Sequence, residues 1–116
     1  MNFDLKSIPE KTAGLLAKLA DLSFIQKFTL AGGTALSLQT GHLQSEDLDF
    51  IFDGENIPTT MLKRQISKYF PDYKLIREDK DYQLDFLIEQ IKVTFFSTGA
   101  VLIPFYVMHF LKNIKI

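Results

Sequence analysis

Leu30-Ala31-Gly32-Gly33-Thr34-Ala35-Leu36 and, further along, Asp47-Leu48-Asp49-Phe50-Ile51-Phe52 decide how this chain is read. Two glycines separate one apolar segment from the next, and two alternate carboxylates stand on the apolar run that follows. A strand sends successive side chains to opposite faces, so Asp47 and Asp49 share one face while Leu48, Phe50 and Phe52 form a buried floor on the other. At a rise of about 3.3 Å per residue the two aspartate Cα atoms lie about 7 Å apart, within reach of one Mg²⁺ or a pair.

Upstream, Ser23–Leu30 reads as a strand and Thr34–Thr40 as a short helix with Gly41 just past its end. Gly32 and Gly33 then occupy a strand-to-helix turn, where glycine permits positive φ and close backbone approach. The free N–H groups of the helix start can meet a phosphate, and Thr34 can cap the helix or touch that phosphate. Taken alone, Gly-Gly is a tight turn, and Asp-x-Asp an exposed strand face ending at Asp53-Gly54. Their succession argues for a site that holds magnesium and a triphosphate, because magnesium shares its oxygen ligands between carboxylates and phosphates.

Other phosphate and metal motifs fit poorly. No Gly-Lys-Ser/Thr follows the glycines, the three-glycine dinucleotide fingerprint is absent, and Ile51 stands where an EF-hand needs an oxygen ligand.

The stretch FTLAGGTALSLQTGHLQSEDLDFIF, Phe28 to Phe52, resembles the nucleotidyltransferases of the AbiEii/AbiGii abortive-infection toxin type, within the DNA polymerase β-like superfamily. The family's Gly-Gly-Thr-Ala-Leu turn corresponds to Gly32 to Leu36. Its His-Arg-x-Ser segment corresponds to His42 to Ser45, and its Asp-x-Asp strand to Asp47 to Phe50. The resemblance implies an α/β (α+β) fold, a mixed β-sheet flanked by helices. It implies Mg²⁺-dependent transfer of a nucleoside monophosphate from a nucleoside triphosphate to a hydroxyl acceptor, RNA or protein, with an antitoxin as a further partner. On it, Asp47 and Asp49 are catalytic and metal-binding, and Gly33 with neighbouring amides binds the nucleotide phosphates; Gly32, Thr34 and Ser45 are read as nucleotide-binding candidates beside them, and Asp85 as a candidate further metal ligand.

The chain departs from that pattern at three places. Relatives carry a third carboxylate on a later strand, and in Ile91-Lys92-Val93-Thr94-Phe95-Phe96 the corresponding residue is Thr94, which is neither a base nor a strong magnesium ligand. Asp85, in Gln83-Leu84-Asp85-Phe86, stands in for it if its strand lies close; otherwise it is a solvated strand position. Leu43 replaces the arginine after the histidine, which removes a cation for phosphate. His42 is a cap or surface residue or a catalytic group, and Ser45 a turn serine or a site residue. Last, the run from Val101 to Leu111 is apolar and the sequence stops at Ile116, as a shortened gene product would. These departures keep a second function in view: a catalytically inactive nucleotidyltransferase-fold module that binds a nucleotide or a protein.

The remaining sequence reads as one domain over residues 1–116, with an atypical apolar tail at about 101–116. Pro9–Leu22 has helical spacing, with Leu15, Leu16, Leu19 and Leu22 inward and Lys11, Lys18 and Asp21 outward. Pro58–Phe70 repeats the pattern with Met61, Leu62, Ile66 and Tyr69 on one side and Lys63, Arg64 and Lys68 on the other. Strands follow at Tyr73–Glu78, Tyr82–Ile88 and Ile91–Ser97, joined at Asp79-Lys80-Asp81 and Glu89-Gln90.

A net charge of −1 argues against nucleic-acid binding by bulk electrostatics. Lys63, Arg64, Lys68, Lys74 and Arg77 form either a local basic face or an ordinary solvated surface. With no cysteine there is no disulfide and no thiolate chemistry. The N-terminal residues lack a signal-peptide core, so the cytoplasm is expected. The apolar tail is shorter than the ~20 residues of a membrane helix and is expected to pack on the sheet or against a second copy, with His109 hydrogen-bonded at a helix end.

Overall fold

The computed structural model describes residues 8–31, 47–52, 54–80 and 82–97. Gly32, Gly33, Thr34, the expected helix Thr34–Thr40, His42, Ser45 and the apolar tail with His109 lie outside the described residues.

Helix α1, Glu10–Ala20, turns Thr12, Leu15, Leu16 and Leu19 into the core. Pro9 precedes its first turn, and the Pro9 carbonyl accepts the Ala13 N–H at 2.9 Å. Glu10 at its start and Lys18 at its end complement the helix dipole.

The chain then departs from the expected strand at Ser23–Leu30. Ser23–Lys27 is a tight helical turn and strand β1 is only Phe28–Ala31. Phe24 and Ile25 are adjacent and both buried, which a strand with one buried face cannot arrange but a helical turn can.

Strand β2, Leu48–Phe52, is followed by helix α2, Thr59–Tyr69, and by β3, Lys74–Asp79, β4, Gln83–Ile88, and β5, Ile91–Ser97. Gly54 starts the link to α2, where a Cβ would come within 2.6 Å of the Phe52 ring. Leu62 and Ile66 of α2 are buried as their spacing predicts. Tyr69, expected on the same stripe, is exposed, with Lys68 Nζ 5.2 Å from its ring centre. It is the last residue of the helix, and the neighbouring Phe70 takes the buried position instead.

The five strands form one mixed sheet in the order β1-β2-β5-β4-β3. β2 and β5 run parallel, and every other neighbouring pair is antiparallel. This is the α/β architecture the sequence implied.

Register sorts the side chains. Phe28 and Leu30, Leu48 and Phe50, Val93 and Phe95, and Leu84 and Phe86 occupy one face and join the helices' leucines and isoleucines in a single buried cluster. Phe95 is its hub: its ring stacks on Phe50 at 5.4 Å and meets Phe28 and Phe86 edge-on at 5.0 and 5.9 Å. α2 lies against this face, with Lys63 Nζ 2.7 Å from Glu78, the register partner of Leu84.

The β4–β5 turn is the two-residue Glu89-Gln90 connection, with φ of 52° and 69°. Lys18 and Lys11 of α1 reach Glu89 and Gln90 across the molecule. Among the described residues no helix is long and apolar enough to cross a membrane.

Candidate active site: the carboxylate face of the sheet

The opposite face of the sheet carries the polar residues. Asp49 is in register with Thr94, and Thr94 with Asp85, so the three occupy one level across β2, β5 and β4. Alternation puts Asp47, Lys92, Ile51 and Phe96 on that same face. Of the expected floor, Leu48 and Phe50 are buried and Phe52, at the end of β2, is partly buried. The face itself is more enclosed than an exposed strand: Ile51 is 2 % accessible, Thr94 6 % and Asp85 3 %.

Asp47 is exposed at the entry to β2, and Asp49 is half-buried within it. Burial raises the Asp49 carboxyl above the ordinary carboxylate value; the Asp47 charge adds to this, Lys92 opposes it, and Asp85 contributes a further rise. Asp49 is thus a carboxylate whose negative charge is unfavourable in the bare protein, and a cation placed beside it would relieve that cost.

Asp85 is not the solvated strand residue that was its alternative reading. Gln83 Nε2 donates to its Oδ1 at 3.0 Å, and Lys92 Nζ lies 4.0 Å from its Oδ2. Thr94 separates it from Asp49, so the two Cα atoms stand about two strand spacings, roughly 10 Å, apart.

Among the described residues no three histidine, cysteine or acidic side chains gather closely enough to enclose a metal ion. The Asp47/Asp49 pair, with its hard oxygens and excess negative charge, fits a magnesium ion that completes its shell with phosphate oxygens and water.

The expected nucleotide-binding residues Gly32, Gly33, Thr34 and Ser45 lie outside the described residues, but Ala31, immediately before the glycines, is in register with Asp49. Of the five basic residues read as either a local basic face or an ordinary solvated surface, Lys63 is paired with Glu78, Arg77 with Asp79, and Lys68 lies over the Tyr69 ring. Lys92 was not singled out from the sequence. The alternation in Ile91-Lys92-Val93-Thr94 placed it beside Thr94, but only the parallel pairing of β5 with β2 brings it to the aspartates.

A family model described as "Nucleotidyl transferase AbiEii toxin, Type IV TA system" matches residues 14–105. The chain belongs to the AbiEii nucleotidyltransferase toxin family. The matched span takes in the last part of α1, all of α2, the five strands and the Asp-x-Asp segment, so the AbiEii assignment extends well beyond the motif. Within the curated proteins the chain is similar to an uncharacterized protein of Aquifex aeolicus (strain VF5), 33% identical over 94 residues. That alignment takes in 80% of this chain and 45% of the relative, so the AbiEii-family chain spans under half of that protein's length.

Proposed function

We propose that this chain binds a magnesium–nucleoside triphosphate on the carboxylate face and transfers the nucleoside monophosphate to a hydroxyl acceptor, releasing pyrophosphate. The observation that carries the reading is the placement of Asp49 on the face it shares with Asp47 and in register with Ala31, the last residue of β1 and the one that precedes Gly32-Gly33 in the sequence; burial and the Asp47 charge also raise its carboxyl. Membership of the AbiEii family supports it.

Asp47 and Asp49 would hold the ion, and the amides of Gly32 and Gly33, with Thr34 and Ser45, would hold the phosphates. Bound magnesium would polarise the α-phosphate, lower the acceptor's pKa and stabilise the leaving oxygens. The buried floor of Leu48 and Phe50 fixes β2, so both carboxylates are presented from a rigid element. The acceptor hydroxyl gives up its proton to water as its oxygen forms a bond to the α-phosphorus; the bond to the β-phosphate oxygen breaks, and its electron pair leaves with pyrophosphate. The proposed acceptor is RNA or protein, the proposed setting the cytoplasm, and the proposed partner an antitoxin protein that restrains the reaction.

Incubating the chain with α-labelled nucleoside triphosphates, magnesium and either total RNA or protein extract tests this. Label transfer with matching pyrophosphate release, both lost in Asp49→Asn, is expected. One observation favours a second reading, a module that binds without transferring: Thr94 stands between Asp49 and Asp85 where a third carboxylate would complete the row. That reading gives nucleotide binding without label transfer.

A further inference from the structure

Two basic residues of the described sheet flank Asp85: Arg77 on β3 is its register partner on the side away from Asp49 and is paired with Asp79, whereas Lys92 on β5 lies on the side of Asp47 and Asp49. Its register neighbour on β4 is Leu87, and on β2 it falls level with Asp47, one step before the Leu48–Val93 pair. The Lys92 side chain is 49% accessible, whereas Asp85, 4.0 Å from its ammonium, is 4% accessible. The buried partner is therefore the fixed one. Gln83 occupies one Asp85 oxygen, and the other faces Lys92.

A triphosphate arriving on this face meets Asp47, Asp49 and Asp85, and its own charge adds to theirs. One divalent ion does not balance that sum, and phosphate sites supply the difference with lysine or arginine. The sequence has Leu43 where an arginine was expected, and Lys63 and Arg77 are paired with Glu78 and Asp79. Lys92 is half-exposed, beside the aspartates, and on a stem long enough to swing from Asp85 to a bound anion.

We propose that Lys92 is the phosphate-binding cation of this site, taking the polyphosphate of the nucleotide and the pyrophosphate product, and that buried Asp85 is the residue that positions it. The inference rests on the nucleotide-site reading above. It assigns Asp85 a part other than metal ligand: its oxygens are engaged by Gln83 and Lys92, and Thr94 stands between it and Asp49.

The test titrates inorganic tripolyphosphate and, separately, Mn²⁺ into the full chain and into Lys92→Gln, Lys92→Arg, Asp85→Asn and Asp49→Asn, with circular dichroism and melting of each. Lys92→Gln is expected to weaken tripolyphosphate binding about tenfold or more, the size of one charge-assisted contact. Lys92→Arg retains most of the affinity and Asp85→Asn loses part of it, while both Lys92 variants and Asp85→Asn keep Mn²⁺ and Asp49→Asn loses it. Wild-type binding of tripolyphosphate that Lys92→Gln leaves intact overturns the inference alone. Loss of Mn²⁺ in Asp85→Asn overturns the positioning role and makes Asp85 a metal ligand. Retained Mn²⁺ in Asp49→Asn overturns the nucleotide-site reading, and a folded wild-type chain that binds neither probe overturns both.

Discussion

Asp49 stands in register with Thr94 across the parallel pairing of β2 and β5, and Thr94 is buried. A neutral residue at this position keeps Asp49 and Asp85 from facing a third negative charge. Thr94→Asp is expected to lower stability in metal-free buffer by about 1–3 kcal/mol, as for other unpaired buried charges. Mg²⁺ or Mn²⁺ should restore much of the loss, and thermal melts with and without the ion check this.

The raised Asp49 carboxyl fixes the sign of a pH effect. The folded chain holds this proton more tightly than the unfolded chain, so stability falls as pH rises from the ordinary value of 3.8 through the raised folded value. Above that window the penalty is fully present; below 3.8 both states are protonated and it vanishes. Asp49→Asn is therefore expected to melt higher than wild type at neutral pH, with the gain shrinking towards acid. A gain that persists undiminished in acid would assign the effect to something other than charge.

Glu89 and Gln90 both adopt left-handed backbone in the β4–β5 turn, a conformation suited to glycine or asparagine. Gln90→Gly removes the steric cost and leaves the Lys18–Glu89 pair in place. A gain of about 0.5–1 kcal/mol is expected by denaturant titration, reduced slightly by the lost exposed contact with Lys11.

Ser97 ends β5 fully buried, its hydroxyl without a hydrogen-bond partner among the described residues. Ser97→Ala removes an unsatisfied polar atom and leaves little space behind, so it is expected to raise stability by up to about 1 kcal/mol. Equilibrium unfolding measures it, and a clear loss would show that the hydroxyl has a partner in solution.

The parts of the fold legible in the sequence were those with a strong period. Leu15, Leu16 and Leu19, and Leu62 and Ile66, mark their helices by spacing alone, and Glu89-Gln90 marks a two-residue hairpin between apolar runs. Phe24-Ile25 was misread because two adjacent apolar residues have no period that separates a strand from a helical turn. Of the candidate site, the shared face of Asp47 and Asp49 was legible because one stands at the entry to β2 and the other two residues on within it. The burial of Asp85 and the place of Lys92 were not, since each depends on which strand lies beside which, and the sequence order of β2, β4 and β5 does not reveal that β5 lies between the other two.

Magnesium-dependent calorimetric titration of each nucleoside triphosphate, into the wild-type chain and into Asp47→Asn/Asp49→Asn, bears most directly on the carboxylate face as a nucleotide site. Saturable binding to the wild type that disappears in a folded double variant is expected. A folded wild-type chain that binds no nucleoside triphosphate, or a double variant that binds it equally well, would contradict the assignment.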